Sequence, residues 1–129
     1  MEYKYLTEKI TGCAYEVYNK MGFEYLESVY EKCLLIELRK AGLTAEAQKP
    51  IKVQYDGEIV GDFIADIVVN DTVIIELKSV RRIVKAHEAQ LVNYLKATEI
   101  EVGLLLNFGK EPRFKRRVLT NEYKNLNKS

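Results

Sequence analysis

The stretch Asp62–Lys78, DFIADIVVNDTVIIELK, constrains the fold of this chain more than any other. Two β-branched apolar runs flank a short polar turn, and each run carries charge where a buried strand should have none. Alternation puts Phe63, Ala65, Ile67 and Val69 on one face of the first run, with Asp62, Ile64, Asp66 and Val68 on the other. In the second run Val73, Ile75 and Leu77 alternate with Thr72, Ile74, Glu76 and Lys78. A carboxylate inside such a strand is costly to desolvate unless it is paired or binds a metal.

Register decides whether these charges meet. Residues paired across an antiparallel ladder share a face, and a slip of one residue turns every side chain over. A two-residue loop, Asn70-Asp71, would pair Val69 with Thr72 and set Asp66 and Glu76 on opposite faces. A three-residue loop, Asn70 to Thr72, pairs Val69 with Val73 and Asp66 with Glu76. Only the second register stacks the apolar faces of both strands together. The pattern therefore predicts that Asp66, Glu76 and Lys78 gather on one face.

The rest of the chain supplies a frame for this hairpin. A helix is predicted over about 3–21, with Leu6, Ile10, Cys13 or Ala14, Val17 and Met21 on one face. A second runs from about 26 to 41 with the stripe Val29, Cys33, Leu34 and Leu38, and Gly42 is its stop. On it Glu27, Tyr30 and Glu31 share a face, the pattern of a solvated helix edge with a half-buried tyrosine. Ile51, Val53 and Tyr55 alternate ahead of the turn Asp56-Gly57, so a strand over 51–55 pairs with one over about 59–69, in which Gly61 marks a bend or bulge. A third strand covers 73–78. A helix over about 84–98 buries Leu91, Val92 and Leu95 and presents His87, Gln90 and Tyr94 on another stripe. Val102 to Phe108 reads as a strand covered on both faces. Arg113, Lys115, Arg116 and Arg117 surround Phe114 and lead into an edge strand at Val118-Leu119, followed by a polar, frayed tail from about residue 121. The expected architecture is one α/β domain over 1–129, with a mixed central sheet flanked by helices in the order αβββαβ.

Composition narrows the function classes. Hydrophobic and charged fractions of 47% and 30% are those of a soluble globular chain. A net charge of +1 argues against bulk electrostatic capture of nucleic acid, so such binding has to come from local patches. Cys13 and Cys33 lack metal-ligand spacing and read as buried reduced thiols of a cytoplasmic protein. No signal peptide opens the chain and no apolar run reaches membrane-spanning length, so no membrane partner is expected.

The chemistry rests on the acids. The triplet Glu-x-Lys is weak alone, since it recurs at Glu2-Lys4 and Glu122-Lys124. At Glu76-Lys78 it ends an apolar strand, and a strand-borne Asp precedes it. Two converging carboxylates repel, and a hard divalent cation relieves that repulsion. Mg²⁺ or Mn²⁺ would bind through Asp66, Glu76 and the Leu77 carbonyl. Lys78 could then orient a water or neutralise charge on a phosphoryl transition state. The same residues also admit a plainer reading, in which Lys78 makes a salt bridge to Asp66 or Glu76 and closes a sheet edge. His87, the only histidine, fits a surface or hydrogen-bonding role or, one turn before Gln90, a phosphate or water contact. The Arg81-Arg82 pair and the Arg113–Arg117 cluster, Arg116 included, are solvated faces unless the acids form a site. In that case they flank it as phosphate contacts.

The order Asp66, then Glu76-Leu77-Lys78, then Gln90 and Tyr94 resembles the PD-(D/E)XK nuclease superfamily. Over nearly its whole length the chain is similar to the small GxxExxY protein family, through MGFEYLESVYEKCLLIELRKAGL, VGDFIADIVVNDTVIIELKSV, HEAQLVNYLKAT and VGLLLNFG. The resemblance implies a restriction-endonuclease-like core. It casts Asp66 and Glu76 as metal ligands, Lys78 as the catalytic lysine and Glu27 as an acid near the site. Gln90 and Tyr94 fall on the helix motif that lines the cleft. Of the motif on the second helix, Gly22, Glu27 and Tyr30 are present, but Glu24 stands where the family has the glycine of its name. The expected function is metal-dependent phosphodiester hydrolysis of DNA, or of RNA, with water as the nucleophile. The alternative is a silent nucleic-acid-binding or protein-interaction module that keeps the fold. The resemblance also implies a possible pairing of two copies as a homodimer.

Overall fold

The structure, a computed structural model, describes residues 3–124. Helices α1 (Lys4–Met21) and α2 (Glu27–Lys40) precede a meander of β1 (Ala45–Tyr55), β2 (Glu58–Val69) and β3 (Val73–Lys78). Helix α3 (Lys85–Ala97), β4 (Val102–Asn107), β5 (Arg113–Val118) and a short turn of 3₁₀-helix at Asn121–Tyr123 follow. The strands form one sheet in the order β1-β2-β3-β4-β5. Only β3 and β4 run parallel, because α3 crosses between them, and all other neighbours are antiparallel. This is the mixed α/β architecture that the sequence predicts.

Each face of the sheet is covered by its own helices. Ile10, Ala14 and Val17 of α1 recur at helical spacing and pack, with Tyr30, Leu34 and Leu38 of α2, on Ile67, Val69, Val73, Ile75 and Leu77. On the other face Leu91, Tyr94 and Leu95 of α3 pack on Ile51, Ala65, Val68, Ile74 and Leu105. Strand β4 lies between the two layers, and every residue of it is buried, as its unbroken apolar run requires. No helix among the described residues is long and apolar enough to cross a membrane.

The β2–β3 hairpin has the three-residue connection. Val69 pairs with Val73, Val68 with Ile74 and Ile67 with Ile75. The Thr72 N–H closes the turn onto the Val69 carbonyl at 2.8 Å, with Asn70 and Asp71 both at positive φ. Asp56 and Gly57, also at positive φ, turn the β1–β2 hairpin. The bulge expected near Gly61 is there: Val53 faces Gly61 but Gln54 faces Ile59, which leaves Val60 unmatched.

Five expectations are corrected. Strand β1 starts at Ala45 rather than Ile51, because its mostly exposed first half carries no alternation to read. The apolar stripe of α2 is turned toward Tyr30 and Leu35, with Val29 and Cys33 only half-buried, and on α3 Tyr94 is core while Val92 is half-buried. The Arg113–Arg117 cluster is itself the edge strand β5 rather than a lead into one. The chain after Asn121 is held at least as far as Lys124, whose ammonium donates to the carbonyls of Thr98 and Ile100 at 3.0 and 2.7 Å. The remainder of the expected frayed tail lies outside the described residues.

Candidate active site

The acids meet where β2 and β3 part. Their ladder ends at Ile67–Ile75, and side chains take over one position further on. The Asp66 N–H donates to Glu76 Oε2 at 2.9 Å, and the Leu77 N–H donates to Asp66 Oδ2 at 2.7 Å. Each carboxylate thus satisfies a backbone donor of the opposite strand that the ladder has released. The other oxygens, Asp66 Oδ1 and Glu76 Oε1, accept no hydrogen bond among the described residues.

The separation of the strands has a cause in β1. The ladder skips the position at which Gln48 faces Asp66, and Gln48 has φ of 55°. Here β2 turns over. Phe63 and Ala65 pack toward α3, whereas Ile67 and Val69 pack toward α1 and α2. The expected single face from Phe63 to Val69 is therefore two half-faces, divided at the acid. Gln48 is pinned by its own amide, which donates to Glu31 Oε1 at 2.6 Å.

Electrostatics distinguish the pair from ordinary strand acids. Glu76 is 3% exposed, and burial, followed by the charge of Asp66, pushes its carboxyl up to about 8. Asp66 is raised as well, first by burial and then by Glu31 and Glu27, against the pull of the Leu77 N–H. The Lys78 ammonium favours the charged form of both acids through space. It makes no direct ion pair with either among the described residues, so the salt bridge that would have closed a sheet edge is absent there.

The donor set suits a hard cation. Among the described residues no group of three or more Asp, Glu, His or Cys side chains is placed to hold an ion. Two carboxylates, each with an oxygen that accepts no hydrogen bond among the described residues and each raised first by burial, match the usual share that a protein gives Mg²⁺, with waters and substrate oxygens as the remaining ligands.

Helix α3 forms one wall. The Gln90 amide donates to the Tyr94 hydroxyl at 2.9 Å, and the Tyr94 ring packs 5.7 Å from that of Phe63. Burial raises the Tyr94 hydroxyl, and the charges of Glu76 and Asp66 add to the effect. His87, Gln90 and Tyr94 line a groove of about 370 Å³ against Phe63. His87 Nδ1 accepts the Val84 N–H at 3.1 Å, so the neutral ring carries its proton on Nε2. Glu27 is exposed at the start of α2, and its charge acts on both acids.

Two candidates lie elsewhere. Tyr30 is 0% exposed, stacked on Phe108 at 4.4 Å and 5°, and its hydroxyl donates to the Gly22 carbonyl at 2.6 Å. It therefore builds the turn into α2 rather than meeting a ligand. Arg116 alternates away from Arg113 and Lys115 on β5 and lines a cavity of about 560 Å³ against α1, with Tyr15 and Phe114. That cavity is on the face opposite α3. Arg81 and Arg82 are exposed in the connection after β3, and the side chain of Leu77 is buried in the α1–α2 layer. Sequence reasoning did not assign Glu31 or Gln48 to the site. The spacing of Glu31 from Glu27 was a signal for the first, while nothing local marks the second.

At position 24, Glu24 has φ of 80°, a conformation that favours glycine. The turn keeps a glycine-like backbone without the glycine. Glu24→Gly should therefore raise stability by about 1 kcal/mol, read as a higher midpoint in thermal or urea unfolding. A lower midpoint would show that the glutamate side chain is worth more than the relief of strain.

The model of the PD-(D/E)XK nuclease superfamily matches residues 4–118, and the chain belongs to that superfamily. Its members are typically nucleases, act on nucleic acid and generally use divalent metals such as Mg²⁺. Among solved structures, the crystal structure of SSO0001 is similar, with a TM-score of 0.57 and 17% identity over 73% of this chain. The match covers 50% of that chain, and at this identity the likeness is one of fold. A comparison with curated proteins gives no match.

Proposed function

We propose that the protein is a metal-dependent phosphodiesterase that hydrolyses DNA, in preference to RNA, with water as the nucleophile, and that it is of the GxxExxY kind. The observation that carries the reading is the pair Asp66 and Glu76, each tied to the other's strand and each raised in pKa, next to Lys78. Asp66, Glu76 and the Leu77 carbonyl would hold Mg²⁺ or Mn²⁺. When bound, such an ion supplies Lewis acidity and a water of lowered pKa. Lys78 supplies a positive charge that orients the attacking water or offsets charge growing on the phosphoryl oxygens. Glu27 is the outer acid of the site. Gln90 and the Nε2–H of His87 offer donors to substrate oxygens, and Arg81 and Arg82 contact the backbone. Location in the cytoplasm accords with the free thiols of Cys13 and Cys33. Pairing as a homodimer belongs to the same reading and rests on the resemblance alone.

The test is cleavage of linear and circular DNA with Mg²⁺ or Mn²⁺. Asp66→Ala and Lys78→Ala should each lower the rate by at least about a hundredfold. Cleavage that survives both changes removes the assigned roles. Binding of DNA without cleavage under either metal favours the silent module.

A further inference from the structure

The cations of this near-neutral chain are not evenly spread. Arg81, Arg82, Lys110, Arg113 and Lys115 converge on one cavity of about 500 Å³, in which Glu111 is the one acid. Glu111 binds Arg113 at 3.1 Å, and Glu88 of α3 binds Lys115 at 3.2 Å. Arg81, Arg82 and Lys110 have no ion pair among the described residues, so the cavity retains excess positive charge.

The cavity is built rather than incidental. Asn107 at its floor is 1% exposed, and its side chain clamps the residue before the arginines. Asn107 Oδ1 accepts the Val80 N–H, and Asn107 Nδ2 donates to the Val80 carbonyl, both at 3.0 Å. Gly109 brings the loop that carries Lys110 against Val80. A Cβ there would lie 2.9 Å from the Val80 carbonyl oxygen, so only glycine allows the two loops to approach so closely. The Tyr18 hydroxyl donates to the Lys110 carbonyl and fixes that loop to α1.

Its position relates it to the acids. Lys78 pairs with Asn107, and Asn107 pairs with Arg113, so the three form one cross-strand row on one face of the sheet. Two strand spacings separate Lys78 from Arg113, or about 10 Å. Helix α3 stands between, with Tyr94 and Gln90 toward Phe63 of β2 and Glu88 toward β5.

We propose that this cavity is a phosphate-binding position separate from the point of cleavage, which holds a nucleic-acid strand two strand spacings from Lys78. The inference rests on the nuclease reading for its ligand, but its binding chemistry does not depend on catalysis. The phosphate is either an internal diester or the monoester at a strand end, and the two call for the same donors.

The experiment is fluorescence anisotropy of a short labelled DNA duplex, with and without a 5′-phosphate, in EDTA across a range of salt. The Arg82→Ala/Lys110→Ala double variant should bind about a hundredfold more weakly than wild type. Its log–log salt slope should fall by about two. Lys32→Ala, which removes an exposed charge on α2, should leave both unchanged. Tighter binding of the phosphorylated duplex, lost in the double variant, assigns the strand end, whereas equal affinity for both duplexes assigns an internal phosphate. Affinity and slope unchanged in the double variant, an equal loss in Lys32→Ala, or no binding by wild type overturns the proposal. Cleavage of circular DNA is scored separately, so a wild type that cuts but fails these tests keeps the nuclease reading. A wild type that passes them but never cuts loses it.

Discussion

Replacing Glu76 with glutamine should abolish metal-dependent cleavage while making the metal-free protein more stable at pH 8. The two effects have one origin. In the folded protein the Glu76 carboxyl is held at about 8 by burial and by Asp66, whereas in the unfolded chain it ionises at its ordinary 4.5. Below pH 4.5 both states keep the proton and no stability difference arises. Between 4.5 and 8 the unfolded state gives up its proton while the folded state retains it, so unfolding becomes progressively easier as pH rises. The cost levels off above 8. At its full extent it is on the order of 3–5 kcal/mol, a large part of the stability of a domain of this size. The amide introduced by Glu76→Gln removes the charge but still accepts the Asp66 N–H that Glu76 Oε2 accepts now. Stability of the variant should therefore fall less steeply from pH 5 to 8 than that of wild type, keeping only the part due to the raised Asp66 carboxyl, and its melting point in EDTA at pH 8 should exceed that of wild type. A saturating divalent ion should stabilise wild type, by about 2.7 kcal/mol at a hundred times its Kd, and leave the variant unmoved. Urea unfolding at several pH values, with and without Mn²⁺, measures each of these. A variant less stable than wild type at pH 8 without metal would refute the electrostatic account, whatever happened to cleavage.

Such a site is destabilising until something binds it, and this is why the acids could be found from sequence. Carboxylates inside the β-branched run Asp62–Lys78 violate strand chemistry, and the alternation of that run leaves only one register that also buries its apolar residues. The helices, the doubly covered strand β4 and the order of elements were legible for the same reason, because local periodicity states which side of an element is wet. What escaped depends on partners far along the chain. Strand β2 turns over at Asp66 because Gln48 bows out and is held by Glu31, and neither residue breaks any local rule. The basic run Arg113–Arg117 read as one cluster, yet a strand sends successive side chains to opposite faces. Arg113 and Lys115 therefore reach the cavity beside α3, while Arg116 faces α1. Period two, applied to the charges as it was to the apolar residues, would have separated them.

Tyr30 is the clearest case of a distant partner deciding a role, and it carries the second large effect. Its ring stacks on Phe108, 78 positions further along the chain, and the Phe108 N–H donates to the Lys78 carbonyl at 2.9 Å. Its hydroxyl donates to the Gly22 carbonyl and accepts the Tyr25 N–H at 3.4 Å, while Ser79 Oγ, next to Lys78, donates to the Tyr25 carbonyl at 2.6 Å. One buried side chain thus joins the turn that starts α2, and with it Glu27, to the end of β3. Tyr30→Ala should cost about 3–5 kcal/mol, the range for emptying a buried aromatic site, and lower the melting point by roughly 8–20 °C for a chain of this length. Tyr30→Phe keeps the stack and loses only the hydroxyl bonds, at about 1 kcal/mol. Because those bonds hold the backbone on either side of the site, Tyr30→Phe should also slow cleavage severalfold through kcat with KM little changed, as befits a positioning residue that touches no substrate. The opposite split, a raised KM at unchanged kcat, would return Tyr30 to the substrate surface and contradict its burial.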